Sequence, residues 1–211
     1  MADYSREAAA GGRVAGVDEV GRGAWAGPVF TAAAILTPRA AATPELTGLD
    51  DSKAISKANR ERYFDALERT RDDGEAWLAL GSADVAEIDA LNILGATMLA
   101  MQRAVAALPV VPQSILVDGN RVPNLPAPAE AIVNGDGLVL SIAAASIYAK
   151  VSRDRLMGEL GQECPGYGWE RNAGYGTRQH QDALAQWGPT RHHRQSFAPI
   201  KKILLETATY R

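Results

Sequence analysis

Cysteine is nearly absent from this 211-residue chain: Cys164 stands alone. That excludes a disulfide framework, a CxxC redox pair and a structural zinc knuckle. Aromatic residues make up only 6% of the chain, and histidine occurs three times, at 180, 192 and 193. Long apolar runs are missing too. The longest nearly apolar stretches, around 28–36 and 142–149, fall short of the roughly 20 residues that span a bilayer. Residues 1–12 are small and polar, without the apolar core of a secretory leader. No GxxxxGK[ST] occurs, and Gly21-x-Gly23-x-x-x-Gly27 misses the dinucleotide spacing. Ser52, Ser146 and Ser196 show no Ser-His-Asp ordering. The expectation is a soluble cytoplasmic protein of a reducing compartment, with no membrane span and no serine-nucleophile chemistry.

What is present is enough to build a core, with 46% hydrophobic residues and a net charge of only −3. The average hides an asymmetry. Residues 1–136 carry 12 Lys and Arg against 19 Asp and Glu, whereas residues 137–211 carry 10 against 6. Such a division suggests cation binding in the first part and polyanion binding in the second. Within 165–202, basic residues interleave with Tyr167, Trp169, Tyr175, Trp187 and Phe197, as on a nucleic-acid surface. Trp187 and Phe197 are the aromatics expected to pack that lobe. The pair His192-His193 could bind metal, cap a helix or lie beside a phosphate.

No repeat or linker interrupts the chain. Residues 1–11 read as a frayed tail, and 14–20 and 28–36 as strands separated by Gly21-Arg22-Gly23. The stretch 40–51 reads as a loop, followed by a helix capped by Ser56 and running to about Asp72. A short strand over 76–81 precedes a helical region in which Ile93, Leu94, Thr97, Met98, Met101 and Val105 recur at helical spacing. Strands are expected at 114–117 and about 131–133, then a long helix over 140–161 and a short one over 177–187. The pattern predicts an α/β domain over 1–162 and a small helical C-terminal lobe over 163–211.

Four acids sit where a strand meets glycine: Asp18 and Glu19 before Gly21, Asp118 in Val-Asp-Gly, and Asp136 in Gly-Asp-Gly. Singly, an Asp at a strand end is commonly a turn residue or a helix cap. Strand ends are also where α/β sheets place ligands. Two carboxylates about 4 Å apart repel by roughly 4 kcal/mol at an effective dielectric near 20. Divalent cations relieve that repulsion, and an all-oxygen donor set suits Mg²⁺ or Mn²⁺. A carboxylate-bridged pair of such ions serves in-line phosphodiester cleavage. One tension remains, because adjacent strand residues face opposite sides; Asp18 and Glu19 can both act only if the strand twists or ends there. Gly21-Arg22-Gly23, bare of bulk, reads either as a tight turn or as a loop that lies against a sugar-phosphate chain.

The residues resemble the prokaryotic type 2 ribonuclease H family, ribonuclease HII. The matching stretches are AGVDEVGRG at 15–23, AGPV at 26–29, DDSK at 50–53, ILVDGN at 115–120, SIAAASIYAKVSRDRLM at 141–157, PGYG at 165–168, GYGT at 174–177 and HRQSFAPI at 193–200. The resemblance implies a ribonuclease H-like fold with a mixed central sheet flanked by helices. It implies an endonuclease that cuts RNA hybridised to DNA, and incises 5′ of a ribonucleotide embedded in duplex DNA, leaving 3′-hydroxyl and 5′-phosphate ends. Its work would lie in ribonucleotide removal during DNA replication and repair.

By the same resemblance, Asp18, Glu19, Asp118 and Asp136 are catalytic and hold two ions of Mn²⁺ or Mg²⁺. Gly21, Arg22 and Gly23 read the ribose 2′-hydroxyl, Tyr175 stacks on the next deoxyribose, and Lys53 and Arg153 join the substrate contacts. A monomer is expected, without the longer tail by which some relatives bind a sliding clamp. Leu138-Val139 and Ala24-Trp25 depart from the family's usual residues. The alternatives are another ribonuclease H-superfamily nuclease, which would lack the Gly-Arg-Gly and Tyr175 pair, and a non-catalytic hybrid-binding protein, which would have lost an acid.

Overall fold

The computed structural model describes residues 2–49 and 55–209. In chain order the elements are α1 (Ser5–Ala10), β1 (Val14–Val20), β2 (Val29–Leu36), α2 (Pro38–Ala41), α3 (Lys57–Asp72), β3 (Ala76–Ala83), α4 (Val85–Ala106), β4 (Ser114–Asp118), β5 (Ala129–Ile132), α5 (Leu140–Glu163), α6 (Trp169–Asn172), α7 (Arg178–Trp187) and α8 (Ala198–Thr209). They form two compact units. The first comprises Met1–Val20, Phe30–Ser82 and Met98–Val151, and the second Gly21–Val29, Ala83–Thr97 and Ser152–Arg211.

The first unit is built on a mixed five-stranded sheet of order β3-β2-β1-β4-β5. Strand β1 is central, antiparallel to β2 (Ala15 opposite Ile35) and parallel to β4 (Val17 opposite Val117). Strand β4 is in turn parallel to β5. Successive strand residues point to opposite faces, and β2 shows the consequence. Ala32, Ala34 and Leu36 enter one core with Phe64 and Leu67 of α3 and Ala143, Ala144 and Ile147 of α5. Ala33 and Ile35 enter another, with Val17, Ile115, Val117 and the Met101, Ala104 and Val105 face of α4. Both faces of the sheet are covered, which is why β1, β2 and β4 read as nearly continuous apolar runs.

Side chains close the ends of several helices, beginning with the expected cap at Ser56. The Ser56 hydroxyl accepts the Asn59 amide at the start of α3, and the Thr177 hydroxyl accepts the His180 amide at the start of α7. Asp84 and Glu87 form a reciprocal capping box before α4, at 2.8 and 3.0 Å. Within α4, Asn92 breaks the helix at φ +60°, and its Oδ1 recaps the chain by accepting the Leu94 and Gly95 amides.

Other features differ from the sequence reading. The stretch read as a frayed tail contains α1, and its Glu7 is 2% exposed. Glu7 Oε1 accepts the Ser141 amide at 2.7 Å, placing a carboxylate on the N-terminal turn of α5. Among its described residues, the stretch read as a loop over 40–51 contains the end of α2 and a 3₁₀ turn, Pro44–Leu46. The second unit is larger than a lobe over 163–211: it begins at Ser152 and takes in the segments 21–29 and 83–97. Its core is built from Tyr167, Trp169, Leu184, Ile200, Met157 and Ala26. Trp187, expected inside, is 54% exposed, and Phe197 is half-buried under the Arg194 guanidinium. No helix among the described residues is long and apolar enough to cross a membrane.

Candidate active site

In the first unit the parallel pairing of β1 and β4 settles where the acids go. With Val17 opposite Val117, the next residues, Asp18 and Asp118, emerge side by side toward the carboxyl ends of these two interior strands. Carboxylate oxygens of Asp18, Glu19 and Asp118 all lie within 4.8 Å of one another. Glu19 joins although it neighbours Asp18 on the strand, and its backbone amide donates to Asp18 Oδ1 at 2.7 Å.

Asp18 is 5% exposed, and its carboxyl is held well above the usual carboxylate range. Burial is the main cause, followed by the charges of Glu19 and then Asp118. A hydrogen bond from Ser146 of α5 and the Glu19 amide pull the other way. Asp118 is fixed by the Gly135 amide, which donates to its Oδ1 at 2.7 Å. A Cβ at residue 135 would lie 2.7 Å from Ile142 Cδ1 and 3.3 Å from Asp118 Oδ1, so a side chain there would push Ile142 aside and crowd Asp118. Asp136 follows in a 3₁₀ turn, Gly135–Gly137, half-buried and outside the 4.8 Å trio. The donor set of the trio is all carboxylate oxygen, which suits a hard divalent cation.

The Gly-Arg-Gly segment belongs to the second unit, where two arginines grip its backbone. Arg194, with no exposed surface, donates to the carbonyls of Gly21 (2.7 Å), Arg22 (2.9 Å) and Gly27 (2.9 Å). Arg153, equally buried, donates to Pro28 (2.9 Å), Ala173 (2.9 Å) and Ala26 (3.1 Å). Burial lowers both guanidinium pKa values, that of Arg194 to about 9, with the charge of Arg153 adding to its shift. Arg153 was expected among the substrate contacts. Its three bonds to main-chain carbonyls make it a brace for the loop instead. Lys53 lies outside the described residues.

Tyr175 is 39% exposed, and its ring carbon Cε1 lies 3.6 Å from where a Cβ on Gly23 would be. Behind Tyr175 runs a directed hydrogen-bond chain. The Thr190 amide can only donate, so His193 Nδ1 accepts it at 2.8 Å and the ring proton sits on Nε2. That proton is given to His180 Nε2 at 3.0 Å, which also receives the Trp169 indole N–H at 3.3 Å. His180 therefore carries its proton on Nδ1 and donates it to the Tyr175 carbonyl at 3.0 Å. Both rings are fully buried and neutral. Burial, and then the neighbouring His180 with which it would share positive charge on protonation, hold His193 down to about 4, and burial lowers His180 as well.

The two departures from the family's usual residues have structural counterparts. The Trp25 indole lies against Gly176 and 5.8 Å from the His180 ring. Leu138 is half-exposed while Val139 is buried among Val14, Leu116, Ile132 and Ile142. Sequence reasoning missed Arg194 and His180. Arg194 stands in a quoted motif, HRQSF, but nothing local separates a buried arginine from a surface one.

Comparison with known proteins gives the family. The family model described as Ribonuclease HII matches residues 15–200. Ribonuclease HII of Rhodospirillum rubrum is 57% identical, over 99% of this chain and 94% of that protein. Among solved structures, ribonuclease H2 from Pyrococcus horikoshii OT3 superposes with a TM-score of 0.74 at 26% identity, covering 93% of this chain and 99% of the other. Bst-RNase HIII in complex with Mn²⁺ shares the fold at 22% identity and a TM-score of 0.69, over 94% of this chain and 71% of the other. The chain thus belongs to the ribonuclease HII family and is an endonuclease, a phosphodiester hydrolase.

Proposed function

We propose that the protein hydrolyses the RNA strand of RNA/DNA hybrids and incises 5′ of single ribonucleotides in duplex DNA, leaving 3′-hydroxyl and 5′-phosphate ends. The observation that carries this reading is the convergence of Asp18, Glu19 and Asp118 within 4.8 Å at the ends of two parallel strands. Together with Asp136 of the Gly135–Gly137 turn, these acids would hold two divalent cations, Mn²⁺ or Mg²⁺. Bound there, such ions supply charge stabilisation for the attacking and leaving oxygens of an in-line displacement. The protein's own contribution is placement. Gly135 pins Asp118, while Ser146 and the Glu19 amide pin Asp18, so the carboxylates need little rearrangement before reaction.

Substrate choice falls to Gly21, Arg22, Gly23 and Tyr175. RNA and DNA differ by one 2′-hydroxyl, which both donates and accepts. A site shaped around that hydroxyl leaves its own polar groups unpaired when the hydroxyl is missing, a penalty that gives about 10⁴-fold discrimination or more. Arg194 occupies one lone pair each on the Gly21 and Arg22 carbonyls, so the loop is set before substrate arrives. Tyr175, exposed beside Gly23, offers a ring for the following deoxyribose. The test uses duplex DNA carrying one ribonucleotide. Cleavage on its 5′ side in Mn²⁺ or Mg²⁺, abolished by EDTA and absent from all-DNA duplex, is the expected result. Full activity in excess EDTA overturns the metal-dependent mechanism.

A further inference from the structure

We propose that Glu163, Cys164 and His192 form a second cation site, chemically unlike the carboxylate cluster and suited to zinc. Glu163 ends α5, Cys164 follows it, and His192 stands in the loop after α7. Glu163 Oε1, Cys164 Sγ and His192 Nε2 all lie within 4.8 Å of one another, with Nε2 and Oε1 3.0 Å apart. One thiolate, one imidazole and one carboxylate make a borderline donor set that selects Zn²⁺ or Co²⁺ over Mg²⁺. Three protein ligands leave a fourth position for water.

The arrangement is held in advance. The His192 amide donates to Thr190 Oγ1 at 3.2 Å, and its ring stands edge-on to the buried Trp169 indole, centroids 5.9 Å apart at 87°. The adjacent histidines thus divide their labour, His193 entering the buried chain toward Tyr175 and His192 facing Glu163 and Cys164. The Arg191 guanidinium also pairs with Glu163 Oε1, but its side chain is 76% exposed. A pair so open to water is weak and can swing aside.

On binding, a sulfur–metal bond replaces the Cys164 S–H bond and the proton leaves to solvent. The His192 proton now given to Glu163 is carried on Nδ1 instead. The ion joins the end of α5 to the segment that carries Arg194, so it strengthens the second unit without entering the hydrolytic chemistry.

Cobalt supplies the test. The full-length, metal-free protein is saturated with Mg²⁺ and titrated with Co²⁺. A thiolate-to-cobalt charge-transfer band should grow to one equivalent, and in a chain with one cysteine it can arise from Cys164 alone. Cys164→Ser should abolish the band. His192→Ala and the surface variant Glu163→Gln should each weaken binding by about 10-fold or more, since even indirect support of a ligand is worth that much. Zn²⁺ should bleach the band and raise the melting temperature of the wild type but not of Cys164→Ser. The proposal is overturned by the absence of a charge-transfer band, or by a band whose affinity is unchanged in both His192→Ala and Glu163→Gln.

Discussion

Replacing Asp118 with asparagine preserves the shape of the side chain and the acceptor that takes the Gly135 amide at 2.7 Å. It removes one charge from three whose oxygens lie within 4.8 Å. At that distance and an effective dielectric near 20, each ionised pair repels by about 3.5 kcal/mol, so the two pairs involving Asp118 amount to about 7 kcal/mol. Much of this is already relieved because Asp18 retains its proton more readily than an ordinary carboxyl. A net stabilisation of about 2 kcal/mol is therefore expected in EDTA, or roughly 4–8 °C in melting temperature for a chain of this size. The same variant should lose cleavage of a single-ribonucleotide duplex by about 10²–10³-fold or more, the range for deleting one preorganised charge-stabilising group. Added Mn²⁺ should then stabilise the wild type more than the variant. Thermal melts with and without EDTA, paired with cleavage rates, decide the matter. An unchanged or lower melting temperature in EDTA refutes the repulsion argument, and wild-type cleavage refutes the role assigned to Asp118.

The buried histidines predict a pH dependence. His193 is neutral when folded, with a pKa of about 4 against the ordinary 6.5, so its stabilising contribution is complete above about pH 6.5 and is lost as pH falls toward 4. Tryptophan fluorescence in metal-free buffer, to which the buried Trp169 contributes, should report that acid transition, and a His193→Gln variant with the same acid transition would contradict the assignment. Gly21→Ala, at φ +87°, puts a Cβ 2.1 Å from Arg153 Nε. Strain and the displaced brace should cost about 2–3 kcal/mol, and a melting temperature equal to wild type would show that the brace yields freely. Tyr175→Ala, at an exposed position, should change stability by about 0.5 kcal/mol or less while strongly reducing cleavage at a lone ribonucleotide. A large loss of stability with normal cleavage by the folded fraction would make Tyr175 a packing residue.

The acidic end of the sheet was legible because each acid closes an apolar run and precedes or abuts glycine, a pattern that local sequence carries. Asp18 and Asp118 converge through strand register, which the parallel pairing of β1 and β4 supplies. Asp136 shared the signal, yet the turn that holds it leaves it outside the trio. Arg153 and Arg194 were illegible in role, because a guanidinium that reaches three carbonyls is written in long-range geometry and not in its neighbours. The same holds for Glu7, whose partner Ser141 lies 134 residues away. Trp187 misled because bulk and apolarity favour burial, whereas the lobe fills its core with Tyr167 and Trp169 and leaves Trp187 at the surface.

Six carbonyl oxygens receive the two buried guanidinium groups, five of them within residues 21–28. Every amino acid brings the same carbonyl, so this clamp does not read side chains at all. The shape of the segment is thereby uncoupled from most of its letters. Residues 24 and 25 are held by packing and not by this clamp, Ala24 being fully buried and the Trp25 indole lying against Gly176. Selection on the loop is exported to two positions far along the chain: a change at Arg153 or Arg194 alters the loop more than most changes within it.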